Sequence, residues 1–504
     1  MKKFDVLIIG TGMGGLVCGN ILAKEGYSVC MVEKNKQLGG CLQIYVRDRV
    51  IFDSGVHYIG ALDKGQNLYQ IFKWLGLMDK LKLEQMDLAF DRILLDGDEK
   101  EYGIMQGYEA YEDEMIRNFP EEVNAIRNYT KTIREICDNF PLYRLRLDGD
   151  AEKKQEYMKV SAKQFIESIT QNEKLRSVFA GNNMLYAGEG ESTPFYIHAL
   201  TVNSYMESAW RCLDGGSQIA KILAKNISAA GGLIIKNKEV KKLVTENGVI
   251  KSAVLSDGSG IQAKFYVSNT TPSNTYRMID TELIRPVTRK RVEDMRTTVS
   301  SFTLNIVFKK NHFPYIKHNY YYHKEGSLWG MESYTEENWP LGYAMYLSPG
   351  AKKEFASGMT IFAYMRYDEV RPWASSFNTV SAKQNRGPEY EEFKKRKTEK
   401  LLDRVEERFP ALRKAILHTY SSTPLSFRDY IGNDDGNLYG TAKDYKSPLG
   451  TLISPKTKIP NLYLTGQYLN LHGILGTAIS GLITSMALTG KDDFIEKIRN
   501  AGIK

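Results

Sequence analysis

The chain begins with an apolar run that predicts a buried β-strand. Residues 4–9 are almost entirely apolar, glycines follow, and apolar residues then recur at helical spacing until a stop near Gly26. A second apolar run occupies residues 29–33. Continuous apolar strands joined by a helix are typical of parallel sheets covered by helices. The N-terminal segment therefore predicts a β-α-β unit of a doubly wound sheet.

The pattern changes along the rest of the chain. Residues 60–210 have mostly helical periodicity, whereas residues 212–271 return to alternating strands and a helix. Segments rich in Tyr, Phe, Ile and Thr predict strands within residues 300–370. Residues 388–408 predict an exposed charged helix, and residues 461–490 predict a strand followed by a long apolar helix.

These segments predict an α/β fold with two domains, in keeping with a length of 504 residues. The first is a Rossmann-type domain whose parallel sheet is assembled from three chain segments, residues 1–62, 212–275 and 440–504. The second is an inserted, mixed α+β substrate domain that comprises residues 63–211 and 276–439.

A glycine-rich turn follows the first predicted strand. Residues 10–15 read Gly-Thr-Gly-Met-Gly-Gly and fit the G-x-G-x-x-G pattern. In such a turn Gly10 allows the tight bend, Gly12 lets the backbone approach a pyrophosphate, and Gly15 lets helix pack on strand. The helix N-terminus offers free N–H groups to the phosphate. Glu33, at the end of the second strand, is placed to accept hydrogen bonds from ribose hydroxyls.

This turn alone fits NAD and FAD about equally, and two further features favour FAD. Gly39 and Gly40 give a second stretch of backbone without side chains for the pyrophosphate. Residues 462–476 contain a strand, a Thr-Gly-Gln turn and two more glycines before an apolar helix. In FAD enzymes of this architecture such a segment closes on the ribityl chain and the flavin. Resident FAD is the prediction.

Residues 39–60 contain two motifs that extend beyond the glycines predicted to bind the cofactor. Gly39-Gly40-Cys41 is followed at residues 51–60 by Ile-Phe-Asp-Ser-Gly-Val-His-Tyr-Ile-Gly. Both motifs resemble the retinol saturase and carotenoid isomerase branch of the phytoene desaturase-like flavoproteins. Residues 213–217, 268–272 and 462–490 are similar to the same family, so the resemblance covers the whole chain.

The chain departs from the family pattern at three places. Cys41 stands where many desaturases and amine oxidases carry an arginine, and Gln43 where the saturases tend to carry histidine. Gly466-Gln467 replaces the Gly-Asp that contacts the ribityl chain. A glutamine can still hydrogen-bond a hydroxyl, so the resemblance continues to imply FAD binding.

The resemblance implies an FAD-dependent oxidoreductase that acts on C–C double bonds of a hydrophobic polyene, retinoid- or carotenoid-like. Hydride exchange with flavin N5 would make it a saturase or a desaturase. A redox-neutral cis/trans isomerase and a non-catalytic flavin-binding protein are the alternatives. The electron donor or acceptor would be external and is not identified, since no second nucleotide-binding glycine motif is evident.

The candidate site residues fall into two groups. His57, Tyr58 and Tyr439 are the candidate catalytic residues, although hydrogen bonding beneath the flavin is an equal explanation for the first two. Val240 falls where this fold presents backbone N–H and C=O groups to adenine. The predicted cofactor-binding residues are Gly10, Gly12, Met13, Gly14, Gly15, Glu33, Lys34, Gly39, Gly40, Cys41, Val240, Gly466, Gln467, Gly473 and Gly476.

Composition and charge limit which partners and which cellular compartment are predicted. The net charge of +8 is spread along the chain, without a basic segment interleaved with aromatics, so no nucleic-acid partner is predicted. Five scattered cysteines favour a reducing, cytoplasmic compartment and argue against a structural metal site. Peripheral membrane contact through the amphipathic helix at residues 66–82 competes with its being an ordinary core helix.

Overall fold

Strands and helices alternate near both ends of the chain, whereas its middle contains runs of consecutive helices and runs of consecutive strands. The computed structural model describes residues 2–280 and 282–503. Its strands are β1 (Lys2–Ile9), β2 (Val29–Val32), β3 (Ile44–Arg47), β4 (Val50–Asp53), β5 (Ile59–Gly60), β6 (Leu83–Gln85), β7 (Ala89–Leu95), β8 (Glu101–Met105), β9 (Ala209–Cys212), β10 (Leu233–Ile235), β11 (Val240–Glu246), β12 (Val249–Leu255), β13 (Gly260–Ser268), β14 (Ser300–Phe308), β15 (Asn319–His323), β16 (Gly342–Pro349), β17 (Ala356–Met365), β18 (Ile416–Ser422) and β19 (Leu462–Leu464).

The helices fill the intervals between these strands. They are α1 (Met13–Lys24), α2 (Asn67–Trp74), α3 (Tyr108–Asn118), α4 (Val123–Asp138), α5 (Ala151–Met158), α6 (Ala162–Ile169), α7 (Glu173–Phe179), α8 (Phe195–Glu207), α9 (Ser217–Ala229), α10 (Pro272–Arg277), α11 (Pro286–Glu293), α12 (Pro388–Glu406), α13 (Leu412–Ala415), α14 (Pro424–Ile431), α15 (Gly473–Thr489) and α16 (Phe494–Ile503).

The first sheet is built from three separate parts of the chain. Its order is β10-β2-β1-β13-β12-β11, and β19 also pairs with β13. Strands β10, β2, β1, β13 and β19 run parallel, whereas β12 and β11 turn back in antiparallel fashion. Helix α1 packs between α9 and α15 over this sheet. The predicted Rossmann-type parallel sheet is confirmed, and the two domain boundaries stay a prediction.

The second sheet is mostly antiparallel. Its order is β18-β14-β17-β16-β15-β7-β8, with only the β15–β7 pair running parallel. Strand β14 is buried along its whole length, although Ser301, Thr303 and Asn305 alternate with apolar residues in its sequence. Helices α3 to α8 form a separate layer, in which α4 packs against α8.

Helix α2 lies in the core. Its apolar residues Leu68, Ile71 and Phe72 are buried, as is Leu75 directly after it, and Trp74 lies against the ring of Phe494 on α16. The core-helix alternative therefore accounts for this segment, and peripheral membrane contact stays a prediction. No helix of the described residues combines the length and the apolar character that crossing a bilayer would require.

Candidate functional site

Four strands of the first sheet end in one row. The register pairs Ile9 with Val32 and with Ser268, and Ser268 with Leu464. The next residue of each strand is therefore carried to the same edge. Ligands of open α/β sheets bind outside this carboxyl edge. Chain topology alone thus brings together residues more than four hundred positions apart.

A cavity of about 510 Å³ opens at this edge. Its walls include all but two of the predicted site residues: Gly15 and Gly476 lie behind the wall. A Cβ on Gly15 would lie 2.6 Å from the carbonyl oxygen of Gly10, and one on Gly476 would lie 2.6 Å from the Cβ of Leu471. Both glycines therefore allow close packing, and their contact with the cofactor stays a prediction.

One end of the cavity, here called the glycine end, is lined by Gly12, Gly14, Gly40 and Gly466. A Cβ on Gly14 would lie 2.9 Å from the Cα of Gly466, and one on Gly40 would lie 3.2 Å from the Cα of Gly12. The four backbones form a cradle that side chains would fill. Helix α1 starts here without a side-chain cap or an acidic residue in its first turn, so its N–H groups remain free for an anion.

Glu33 lies beside this cradle and is buried. Its carboxylate accepts hydrogen bonds from the Thr11 N–H at 3.1 Å and the Thr11 hydroxyl at 2.6 Å. The N–H of Asn35 donates to its other oxygen at 2.9 Å. These bonds fix the carboxylate at the wall, where its remaining lone pairs can accept from ribose hydroxyls. The glycine end with Glu33 therefore fits the pyrophosphate and ribose of a dinucleotide.

The far side of this end holds the other predicted binding residues. Val240 begins β11 and lines the cavity next to Glu239. Lys34 donates from Nζ to the carbonyl oxygen of Asp429 at 3.0 Å, which ties α14 to the wall. Burial is the main reason that the pKa of Lys34 is lowered. Gly10, Met13, Gly39 and Cys41 also line the cavity.

The C-terminal segment closes the cavity. Gly466 has a φ of +103° and is followed by Gln467, which lines the wall together with Gly473 at the start of α15. The N–H of Gly466 donates to the Ser480 hydroxyl at 3.0 Å, which holds the turn against α15. The ring of His472 lies against Tyr439 with centroids 4.7 Å apart. Its Nε2 contacts the Leu185 carbonyl, and although His472 is the N-cap residue of α15, its side chain makes no capping hydrogen bond.

The opposite end, here called the aromatic end, contains the three candidate catalytic residues. His57 stacks on Tyr346, with ring centroids 4.2 Å apart. The Tyr58 hydroxyl donates to Asp91 at 2.8 Å, and the Tyr439 hydroxyl donates to the Met184 carbonyl at 2.9 Å. This end is lined by His57, Tyr58, Tyr205, Tyr346, Phe362 and Tyr439.

Burial determines the protonation states at the aromatic end. Burial, with a smaller contribution from the nearby Arg211, lowers the pKa of the His57 imidazole to about 3. His57 is therefore neutral at neutral pH. Burial likewise raises the pKa of the Tyr58 hydroxyl well above its ordinary value. Neither group is a ready proton donor by itself.

The structure adds residues that the sequence did not place in the site. Asn269 follows β13, and its amide lies between Gly12, Gly14 and Gly466, within 2.6 Å of a Cβ built on Gly12. Its position directly after a parallel strand was a signal that could have identified it. Thr11, which orients Glu33, was also missed. The aromatic residues Tyr205, Tyr346 and Phe362 carry no local motif, because distant segments bring them together.

A second cavity of about 440 Å³ adjoins the first. His57 and Tyr346 belong to the walls of both cavities. Its other walls include Asp53 and Arg211, and Asp53 accepts a hydrogen bond from the Gly216 N–H at 2.7 Å. Burial raises the pKa of the Asp53 carboxyl to about 7. A stacked pair of rings thus separates a polar chamber from the aromatic end.

Known proteins are similar to this chain in sequence. A family model described as flavin containing amine oxidoreductase matches residues 13–489. An all-trans-retinol 13,14-reductase of Danio rerio is 26% identical and aligns with 96% of this chain and 85% of its own length. A chloroplastic prolycopene isomerase of an Oncidium hybrid is 24% identical over 98% of this chain and 85% of its own.

The fold also matches solved structures. The crystal structure of an oxidoreductase from Methanosarcina mazei superposes with a TM-score of 0.63. The two chains are 16% identical, and the match covers 97% of this chain and 100% of the other.

Proposed function

This chain belongs to the flavin-containing amine oxidoreductase family, and from that premise we propose that it exchanges hydride with the C–C double bonds of a hydrophobic polyene. It is an FAD-dependent oxidoreductase, as the sequence predicted. The observation that carries the proposal is one continuous cavity with a glycine cradle at one end and aromatic side chains at the other.

The residues at the glycine end fit the cofactor. Gly12, Gly14 and Gly40 would hold its pyrophosphate with backbone groups, and Glu33 its ribose. When bound, the flavin supplies hydride exchange at its N5 atom. The protein's own part is to orient the substrate against that atom and to exclude water.

The lining of the aromatic end favours an apolar substrate over an amine. Among the described residues that line the cavity, the carboxylates are Glu33 and Glu239, and both belong to the glycine end. A cationic amine in the aromatic end would therefore find no carboxylate in the cavity wall around it. Flat aromatic walls suit a conjugated chain, which gains dispersion contacts along its whole length.

A redox-neutral isomerase is the second candidate. A chloroplastic prolycopene isomerase matches nearly the full chain. Protonation and deprotonation of a double bond would use the tyrosine hydroxyl groups of the aromatic end. The two functions differ in whether electrons leave the cofactor. If the chain is a non-catalytic flavin-binding protein, it neither saturates nor isomerises the polyene.

The test is an anaerobic single-turnover experiment on the purified holoprotein. The chemically reduced protein is mixed with all-trans-retinol and, separately, with prolycopene, and the oxidised protein is mixed with putrescine as an amine control. We expect reoxidation of the flavin spectrum in step with formation of a saturated polyene, detected by mass spectrometry, and no reaction with putrescine.

Each other outcome assigns a different function. A change of double-bond geometry without net flavin oxidation would make the protein an isomerase. Turnover of the amine by oxidised protein, with no response to either polyene, would overturn the proposal. A flavin spectrum that responds to none of the three compounds would also overturn it and would favour the non-catalytic alternative.

A further inference from the structure

A chain of hydrogen bonds leads from the cavity wall into the protein interior. At the wall, the Tyr346 hydroxyl bonds to that of Tyr321 at 3.1 Å. The Tyr321 hydroxyl bonds to that of Tyr58 at 2.8 Å, and Tyr58 donates to Asp91 at 2.8 Å. All four side chains are buried. These residues, Asp91, Tyr58, Tyr321 and Tyr346, form what is called the tyrosine chain below.

The chain has one open end. Both hydrogen-bonding directions of the Tyr58 hydroxyl are used, by Asp91 and by Tyr321. The Tyr346 hydroxyl makes a single bond within the described residues, to Tyr321, although its ring lines the cavity and stacks on His57. Its remaining direction is thus available to a molecule in the aromatic end.

Asp91 is fully buried beside an irregularity of its strand. The register of β7 against β8 shifts between Ala89 and Asp91. Phe90 and Asp91 are both buried although they are neighbours in the strand. Two amides donate to the carboxyl group, Asn182 at 2.7 Å and Asn319 at 2.8 Å. No cation bonds directly to Asp91 among the described residues.

This environment brings the pKa of the Asp91 carboxyl group close to neutral pH. Burial raises the pKa of Asp91 to about 7, against the smaller lowering effects of its hydrogen bonds and of Arg211. Arg211 is the nearby charge, and it lies behind Asn319, to which it donates at 2.8 Å. The groups that face Asp91 or its tyrosine partners from the other elements are uncharged at neutral pH: Asn182, Asn319, Tyr58, Tyr205, Tyr321 and Tyr346.

Saturation of a double bond requires a proton as well as a hydride. The neutral His57 has no acidic proton to give at neutral pH. Burial also raises the pKa of Tyr321 and Tyr346 well above the ordinary value of tyrosine, so neither forms a lasting phenolate. Such a hydroxyl can pass a proton on only if it receives another at the same time. A proton store behind the tyrosines meets that requirement.

We propose that Asp91 is this proton store and that Tyr58, Tyr321 and Tyr346 carry its proton to the substrate. The inference rests on the proposed function and names the proton source of that reaction. Asp91 acts through the tyrosines and is a positioning residue, whereas Tyr346 is the group that touches the substrate.

The atoms and electrons of the step balance. The π bond of the polyene breaks, one carbon receives the hydride supplied by the reduced cofactor, and the other takes the proton of the Tyr346 hydroxyl. Tyr346 regains a proton from Tyr321, Tyr321 from Tyr58, and Tyr58 from the Asp91 carboxyl group. After the product leaves, water in the cavity returns one proton through the same hydroxyls. Desaturation is the reverse of these transfers.

The first test needs no turnover. In infrared spectra of the holoprotein, a buried protonated carboxyl group gives a carbonyl band separate from carboxylate bands. We expect a band that disappears as pH rises through about 7 and that Asp91→Asn removes. Asp53→Asn is the matched control, because Asp53 is also buried with a pKa near 7 but lies outside the tyrosine chain. The proposal is overturned if Asp91→Asn leaves the titrating bands unchanged.

The second test follows the rate of polyene reduction in single turnovers. The wild-type rate should fall as pH rises through about 7, because deprotonation empties the store. Asp91→Asn should be slower by about a hundredfold, a typical contribution of general acid catalysis, and should lose this pH dependence. Asp53→Asn should keep both. A wild-type rate and pH profile in Asp91→Asn would overturn the proposal.

Tyr321→Phe distinguishes proton transfer along the tyrosine chain from a purely structural role of its residues. It breaks the chain at its middle while Asp91 keeps its bonds to Tyr58, Asn182 and Asn319. We expect the infrared band to remain and the reduction rate to fall, and a rate equal to wild type would overturn the assignment of Tyr346 as the exit. If wild type reduces no polyene, the proposed function has failed, and the infrared test still decides whether Asp91 stores a proton.

Discussion

The two ends of the cavity recognise their partners by different means. At the glycine end the wall is backbone, and it approaches closely because Gly12, Gly14, Gly40 and Gly466 have no side chains. At the aromatic end the wall is side chains, held in place by long-range hydrogen bonds such as that between Tyr58 and Tyr321. A backbone site depends on the absence of atoms, whereas a side-chain site depends on their presence.

This difference predicts opposite sensitivities to substitution. Added atoms should be most damaging at the glycine end, and removed atoms should matter most at the aromatic end. The variants below test that contrast through the affinity for FAD, the affinity for a polyene and the free energy of unfolding.

The largest effect is expected from Gly12→Leu. A Cβ there already lies 2.6 Å from the Asn269 amide, and the rest of the side chain would occupy the pyrophosphate cradle. The variant should lose at least about 3 kcal/mol of FAD binding, roughly a hundredfold, as several charged hydrogen bonds are blocked. Flavin content of the purified protein and titration with FAD measure this loss.

Gly330→Leu is the matched control for that variant. No atom lies within 4 Å of a Cβ built on Gly330, which is outside the cavity wall. It should retain stoichiometric flavin. Full retention of flavin by Gly12→Leu would refute the idea that this end binds through bare backbone.

Glu33→Ala should have the next largest effect. The carboxylate is the one charged side chain predicted to touch the cofactor ribose, and a charge-assisted hydrogen bond contributes about 1.5–3 kcal/mol. Because Glu33 also holds the backbone of Thr11 and Asn35, the thermal stability of the apoprotein must be measured beside the FAD affinity. Glu33→Gln keeps an acceptor and should lose less, and an unchanged affinity in both variants would remove Glu33 from the site.

The sequence predicted the glycine end well because its information is local. A strand, a glycine turn and a carboxylate follow one another within residues 4–33, and each has a fixed role in the β-α-β unit. The prediction missed Asn269, whose place is evident only once β13 is known to lie beside β1. It gave Gly15 the role of letting a helix pack on a strand, and a Cβ at Gly15 would indeed lie 2.6 Å from the Gly10 carbonyl oxygen.

The aromatic end could be predicted only in part. His57 and Tyr58 came from a family motif, but their partners Tyr346 and Asp91 lie on strands of the second sheet. The residues rich in strand formers within 300–370 predicted the strand that carries Tyr346, but not which of its side chains face the cavity. The strand that carries Asp91 was not predicted, because residues 60–210 have mostly helical periodicity.

Phe362→Leu tests the aromatic end with a smaller expected effect. Phe362 lines the cavity, and its ring lies parallel to that of Tyr346 with centroids 6.1 Å apart. Loss of the flat ring should weaken polyene binding by about 1 kcal/mol, roughly fivefold, and leave FAD binding unchanged. Substrate titration and flavin content report the two affinities separately. A loss of FAD with unchanged polyene affinity would reverse the assignment of the two ends.

The smallest effect is expected from Val240→Ala. This residue begins β11 at the predicted adenine position, where the fold offers backbone groups and the side chain is buried in the core behind them. Removing two methyl groups should lower the free energy of unfolding by about 1–2 kcal/mol. Because the backbone groups remain, the FAD affinity should change by less than about twofold, an energy below 0.5 kcal/mol. Chemical denaturation of the apoprotein and FAD titration measure the two quantities independently. A variant with unchanged stability and a tenfold weaker affinity would mean that the Val240 side chain itself contacts the cofactor, and that the glycine end does not bind through backbone alone.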